Sequence, residues 1–431
     1  MRKTVLVSIS RGFVVRDLMI SGAIQSLLGH PVKIVLLTHE KHLEDVRSYV
    51  NGMKDAEVHP YPPMPLEVGK VERKLINAGY KLERFAFCVN LLARLNGLYF
   101  KAFPSYFFQS IFDRYHPDLV LCGSPGYHSP MDSRMIREAN RRGIPTLSIV
   151  PSWDNLFTRG ILPAFPNRLT VWNEQIKSDF IQVYGLSPEQ IEVTGPLQFD
   201  FYFDESLYVS RSEFFQKNGL DENKKLVTIA LSRTDIYGNP EHFLSAIEKV
   251  YLQGAFDDPI QFVCRLHPFE PQITKESLNH HRIFHLEHFN EKSASFGWCP
   301  DWEEIRHKAN LLKHSDVIIN YYSTFGIEGA LVGTPVIQIE FGHENPEKFE
   351  QFRSRVYKRH YRYLKDTTAI RTVRSEQELI HWLNRYLRNP EDDAKARREL
   401  SEYFCFKLDG KAHERLGQLA KKMLFNSRNG H

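Results

Sequence analysis

Short runs of aliphatic and β-branched residues alternate with stretches of helical period along nearly the whole chain. This is the pattern of parallel βαβ units: a strand covered on both faces is apolar throughout, whereas its crossover helix is apolar on one side only. A first series predicts strands at Thr4 to Ile9, Val32 to Leu37, Asp118 to Cys122, Thr146 to Val150, Leu169 to Trp172 and Ile191 to Thr194. A second predicts them at Leu226 to Leu231, Ile260 to Leu266, Asp316 to Asn320, Pro335 to Glu340 and Ala369 to Val373. The stretch from about Val71 to Tyr115 reads as long, aromatic and helical, with a break at Pro104, where the ring removes a backbone donor.

Two series of this kind predict two α/β domains. The fold class expected is a pair of Rossmann-like, doubly wound parallel-sheet domains facing a central cleft. The polar and aromatic stretch after Thr194 sets the boundaries: residues 1–195 as an N-terminal domain, 196–225 as a linker region and 226–405 as a C-terminal domain. The helical pattern in 406–431 is expected to cross back toward the first domain.

Composition narrows the class without changing it. Of 431 residues, 42% are hydrophobic and 25% charged, which excludes a disordered chain. Lysine plus arginine number 56 against 52 acidic residues, a net charge of +4 that is too small and too evenly spread for a nucleic-acid partner. The five cysteines are far apart and form no Cys-x-x-Cys, so neither a disulfide framework nor a cysteine zinc site is expected, and a reducing cytoplasm fits. No uncharged apolar run reaches the roughly 18 residues of a membrane span. The start, Met1-Arg2-Lys3 and then Thr4 to Ile9, reads as a buried strand rather than a signal peptide, because Arg11 follows so soon. No Asp-x-Asp occurs, and the cluster His280, His281, His285 and His288 carries no metal signature, so neither a metal nor a cofactor is expected.

In open parallel sheets, ligands sit beyond the carboxyl ends of the strands, where helix N-termini point N–H groups at anions. The second series is richest there. After the strand Asp316 to Asn320 comes Tyr321-Tyr322-Ser323-Thr324-Phe325-Gly326-Ile327-Glu328, then Gly333-Thr334-Pro335. Ser323 and Thr324 are good N-cap residues for a helix that would face a phosphate, and Glu328, one turn beyond Thr324, would accept the hydroxyls of a ribose. Arg265-Leu266-His267-Pro268 places a guanidinium and an imidazole at the same edge. Ser232 and Arg233 follow the first strand of the series, where an ordinary turn would use the same residues.

These motifs, together with Gly195-Pro196-Leu197-Gln198-Phe199-Asp200 and a late Asp409-Gly410-Lys411-Ala412, resemble those of bacterial GT-B glycosyltransferases of surface polysaccharide assembly. That superfamily also holds UDP-N-acetylglucosamine 2-epimerases and the polyol-phosphate transferases of teichoic acid synthesis. The resemblance covers mainly the second half and implies a nucleotide-sugar donor of UDP or CMP type. It implies that Ser323, Thr324 and His267 contact the donor phosphates and Glu328 the ribose. The segments Gly123 to His128 and Pro151 to Asn155 depart from the epimerase pattern, which favours transfer over epimerisation.

An inverting transferase needs a base near the acceptor hydroxyl. Asp154 is the first choice, with Trp153 as a sugar platform and Asn155 and Arg159 in the same acceptor loop; an Asx-type cap would use Asp154 equally well. His128 is the second, and Asp17, with Arg11 and Gly12 after the first strand, the third. The basic and aromatic run Phe352 to Arg362 could meet an anionic membrane surface. The expected function is thus metal-independent transfer of a sugar to a surface-polysaccharide or glycolipid acceptor by a cytoplasmic enzyme. The alternatives are a nucleotide-sugar epimerase or hydrolase, a CDP-polyol phosphotransferase, and a non-enzymatic nucleotide-binding scaffold.

Overall fold

The computed structural model describes residues 2–28, 31–62, 86–102, 106–126, 129–158, 161–232, 238–267, 278, 280–287, 298–343, 345–357, 360–364 and 367–425. The chain divides into two compact units, Met1–Phe201 with Phe404–His431, and Tyr202–Tyr403.

The first unit is built on seven strands among the described residues: Lys3–Ser8 (β1), Val32–Thr38 (β2), Ala56–Pro60 (β3), Leu119–Cys122 (β4), Thr146–Ile149 (β5), Arg168–Val171 (β6) and Ile191–Val193 (β7). They form one parallel sheet in the order β3-β2-β1-β4-β5-β6-β7. The chain winds outward from β1 in one direction and resumes at β4 in the other, so the switch point lies between β1 and β4. Helices cover both faces, and β4 and β5 are buried at every position. Leu6, Val35, Phe112, Val120 and Met135 form part of one core cluster there.

The last helix, Ala412–Phe425, belongs to this unit, and two of the sequence motifs explain how it is fixed. Asp200 accepts the N–H groups of Ala412 (3.0 Å) and His413 (2.7 Å), capping the helix, and also meets His413 Nδ1 at 2.8 Å. Arg415 donates to the Thr194 carbonyl at 2.7 Å and pairs with Asp409 at 2.9 Å. Gly195, at φ +85°, lies so close to the Cys405 carbonyl that a Cβ would stand 2.7 Å from it. The Gly195-to-Asp200 and Asp409-to-Ala412 motifs are therefore two halves of one joint.

The second unit carries six strands among the described residues: Lys225–Ala230 (β8), Ile260–Arg265 (β9), Phe284–Glu287 (β10), Val317–Asn320 (β11), Val336–Ile339 (β12) and Ile370–Val373 (β13). All pair in parallel in the order β10-β9-β8-β11-β12-β13, which puts its switch point between β8 and β11. Val227, Phe262, Ile319, Ile337 and Leu383 belong to its core. Polar caps begin its helices: Asp301, Ser323 and Ser375 each accept a backbone N–H of the first turn, and Ser323 is the one expected from sequence. Among the described residues, no helix is long and apolar enough to cross a membrane.

Candidate functional site

Ser232, His267, Ser323 and Thr324 follow the carboxyl ends of β8, β9 and β11, which are neighbours in the second sheet. Beyond β8 and β11, Ser232, Gly238, Asn239, Pro240, Tyr321 and His343 line a small pocket. Next to Tyr321 in the chain, Ser323 caps the helix Thr324–Leu331, its hydroxyl accepting from Phe325 N at 3.2 Å. Ser323 and Thr324 are both half-buried. His343 was not anticipated from sequence. Burial lowers its pKa to about 4, which keeps the ring neutral at pH 7, and its Nε2 is buried without a hydrogen-bond partner among the described residues. The ring stacks on Phe349 with centroids 3.4 Å apart.

The backbone of this loop is held by an unusual device. Tyr322 takes a left-handed φ of +42°, a conformation costly for a residue with a large side chain. Its hydroxyl donates to Glu340, which follows β12 and has a side chain only 1% exposed. Glu340 also accepts from Tyr357 at 2.9 Å, Arg374 at 3.1 Å and Arg353 at 3.4 Å. Burial, and after it the neighbouring acidic groups, raises the pKa of Tyr322 far above its ordinary value, so the hydroxyl stays a donor. Tyr361 and Phe352 pack against the same ring, at 4.7 and 5.7 Å. Much of the Phe352-to-Arg362 run thus braces the loop that precedes Ser323.

Two expected ligands are engaged inside the protein. Glu328 accepts from Lys308 at 2.7 Å in a buried ion pair, so one of its oxygens is already committed. Arg265 is buried, donates to Glu287 at 2.8 Å and lies 3.8 Å from Glu304. Glu287 in turn meets His307 at 2.6 Å. Burial alone would raise the Glu287 pKa, but the His307 hydrogen bond and the Arg265 charge outweigh it and hold the carboxyl below its ordinary range. His267 is half-buried at the same edge, and Ser232 lines the pocket, while Arg233 lies outside the described residues.

In the first unit the switch point is occupied by a residue the sequence did not flag. Asp132, fully buried in the first turn of the helix Pro130–Arg141, accepts from Ser8, from Ser10 at 2.9 Å and from Ser124 at 3.0 Å. Ser8 also meets the Tyr61 hydroxyl at 2.7 Å. Burial raises the Asp132 pKa to about 6, against the lowering effects of the three serines and of Arg11. An acidic residue in a first helical turn ordinarily just complements the helix dipole, which is why it attracts no notice in a sequence. The signal available was its company: a serine-flanked strand end on either side of the switch.

Several residues expected to serve the acceptor are engaged within the first unit. Asp154 accepts from Ser152, from Thr158 Oγ1 at 3.0 Å and from Asn155 Nδ2 at 3.3 Å, the geometry of a cap on the helix Asn155–Thr158. Trp153 is 3% exposed and meets Phe404 edge-on at 5.5 Å, and Asn155, two residues on, is buried as well. Asp17 pairs with Arg16 at 2.7 Å in the π-helical stretch Arg16–Ile20. It lines a small pocket with Pro151, Thr170, Thr194 and Gln198 at the carboxyl ends of β5 to β7. Gly12 is buried and Arg11 exposed at the start of the preceding helix Gly12–Val15. His128 and Arg159 lie outside the described residues.

No curated protein matches the chain by sequence. Among solved structures, the UDP-GlcNAc 2-epimerase of Neisseria meningitidis bound to UDP-GlcNAc is similar at 14% identity and a TM-score of 0.58, over 98% of this chain and 100% of that one. A glycosyltransferase from Rickettsia africae is similar at 13% identity and a TM-score of 0.56, over 100% of both chains. A putative UDP-N-acetylglucosamine 2-epimerase from Listeria monocytogenes gives 14% and 0.59, over 100% of this chain and 99% of the other. At such identities what is shared is the fold, and it is the GT-B fold of two parallel-sheet units. Residues 163–421, more than half the chain, match the family model described as CDP-Glycerol:Poly(glycerophosphate) glycerophosphotransferase, and the chain belongs to that transferase family.

Proposed function

We propose that the protein transfers a phosphorylated polyol from a CDP-activated donor to a hydroxyl of a surface polysaccharide or lipid-linked glycan. The observation that carries this reading is the pocket at the β8/β11 switch point, adjacent in the chain to the Ser323-capped helix start. A diphosphate there would face the positive end of the helix dipole and meet the hydroxyls of Ser232, Ser323 and Thr324, with His267 at the same edge. Family membership supports the donor class.

In the proposed reaction, the acceptor oxygen attacks the phosphorus that carries the polyol. The bond to the bridging oxygen breaks, and CMP leaves with the charge that those donors neutralise. No Asp-x-Asp occurs in the chain, and we assign this neutralisation to N–H, hydroxyl and imidazole groups rather than to a divalent ion. Asp154 is the proposed acceptor base, with His128 and Asp17 as the other candidates. Peripheral contact with an anionic membrane would rest on the cations of the Phe352-to-Arg362 run, of which Arg362 is exposed.

The pairing of His267-Pro268 with Ser323-Thr324 favours a second reading, transfer of a sugar from a UDP- or CMP-linked donor. One experiment separates the two. The protein is incubated with CDP-glycerol, UDP-N-acetylglucosamine or a CMP-sugar, with and without glycan acceptor, and the released nucleotide and the acceptor mass are identified. CMP release from CDP-glycerol with glycerophosphate on the acceptor is the expected outcome. Sugar on the acceptor, with UDP or CMP released from the matching donor, establishes the second reading. Sugar interconversion or nucleotide release without acceptor overturns transfer altogether.

A further inference from the structure

Away from the phosphate ligands, the helix Glu241–Leu252 and the segment before β10 bring together three groups of metal-ligating type. Glu241 Oε1 lies 2.9 Å from His280 Nε2 and 2.9 Å from His281 Nε2, and the three ligand atoms fall within 4.8 Å of one another. The two imidazole rings lie side by side with centroids 4.1 Å apart. Two ring nitrogens and a Ser245 hydroxyl, the latter at 3.1 Å, converge on a single carboxylate oxygen.

The His281 ring is the informative one. Its side chain is 1% exposed, and both of its nitrogens face carboxylates: Nε2 toward Glu241, and Nδ1 toward Glu248 Oε2 at 2.6 Å. A neutral imidazole carries one N–H, so only one of these contacts can be an ordinary hydrogen bond. The other requires a second ring proton, a protonated carboxyl or a cation on the nitrogen. The Nδ1 contact is the arrangement that orients a metal-bound histidine, in which a carboxylate accepts the distal N–H and fixes the ring. Glu248 is itself held by the Arg282 N–H at 3.2 Å.

From this geometry we propose that Glu241, His280 and His281 bind a divalent transition-metal ion of the zinc class, with Glu248 as the positioning carboxylate. Two imidazoles and one carboxylate make a three-ligand zinc set, and a water would complete a tetrahedron. Ligand atoms about 2.0–2.2 Å from a tetrahedral zinc stand roughly 3.3–3.6 Å apart, so the present spacing needs only a small adjustment. The role is structural. Glu241 follows Pro240, which lines the pocket at the switch point, and the ion would tie that loop to the chain entering β10.

The test uses the full-length protein, stripped with a chelator and titrated with Zn²⁺ and, separately, Co²⁺. One equivalent of Zn²⁺ is expected to bind and raise Tm, and the Co²⁺ form to show the intense visible absorption of a four-coordinate site. Glu248→Gln should weaken Zn²⁺ binding about 10- to 100-fold. His280→Ala should abolish one-equivalent binding while leaving the Tm of the stripped protein unchanged, because that ring is 57% exposed. His281→Ala could fail to fold, and the His280 variant then decides. Absence of stoichiometric uptake by the wild-type protein, or uptake unaltered by His280→Ala, would overturn the proposal and leave a cluster of hydrogen-bonded ion pairs.

Discussion

Lys308 and Glu328 form an ion pair at 2.7 Å in which neither residue is more than 5% exposed. Removing one partner strands the other charge in a poorly solvated place, which typically costs about 3–5 kcal/mol, whereas replacing both by apolar groups is often neutral. Lys308→Met and Glu328→Ala should each lose stability of that order in urea denaturation, and Lys308→Met with Glu328→Leu should recover most of it. The double variant also isolates the proposed ribose contact. If it folds but binds no nucleotide, the second Glu328 oxygen serves the ligand; if it binds normally, the residue is structural.

The interior strands were legible because they are apolar at nearly every position, as parallel strands covered on both faces must be. The two strands that escaped notice are the edge strands Ala56–Pro60 and Phe284–Glu287, each with a single buried residue, Val58 and Phe284. A strand paired on one side and half solvated has no apolar run to announce it, and in the second case the flanking histidines drew attention to metal chemistry instead. The Ser323 helix start could be read locally, since a cap and its helix are neighbours in sequence. The constraints around it could not. Glu340 looks like the end of a strand until Tyr322, Arg353, Tyr357 and Arg374 converge on it, and Asp132 looks like a helix-start acid until two strand ends bring their serines to it.

Asp132 gives the stability curve a sign that can be checked. Its folded pKa of about 6 lies above the ordinary 3.8, so between these values the folded protein holds a proton that the unfolded chain has released. Stability should therefore fall as pH rises through that window, by on the order of 3 kcal/mol from this group. Asp132→Asn keeps a hydrogen-bonding side chain but cannot ionise. Its urea-derived stability should gain on wild type as pH increases from 4 to 7, and parallel curves would show that the carboxyl is not perturbed.

Gly326 allows the helix Thr324–Leu331 to approach β11. A Cβ at this position would stand 2.6 Å from Asn320 Nδ2, and Asn320 is fully buried and donates to the Ser323 carbonyl at 3.4 Å. Helix propensity alone favours alanine by about 1 kcal/mol, so the sign of Gly326→Ala depends on whether Asn320 can yield. Being enclosed, it cannot move without disturbing the cap, and overpacking of about 1–3 kcal/mol should prevail. Thermal denaturation should show a lower Tm, accompanied by weaker donor binding in calorimetry.

Tyr322 tests whether the left-handed turn before Ser323 is maintained by its hydroxyl. Tyr322→Phe leaves the ring among Phe352, Tyr357 and Tyr361 but deletes the hydrogen bond to Glu340. A hydrogen bond to a charged group is worth about 1.5–3 kcal/mol, comparable to the strain of a large side chain at positive φ, so the turn loses what offsets its cost. If the loop then relaxes, the helix N-terminus shifts away from the phosphate position, and a loss of about 1.4 kcal/mol in binding appears as a tenfold rise in donor Kd. Arg374→Ala is the control: that side chain touches the same Glu340 oxygen pair but is 61% exposed, and water replaces it at little cost. Calorimetric titration with nucleotide should separate the two variants. Equal affinities would mean that ring packing alone fixes the turn.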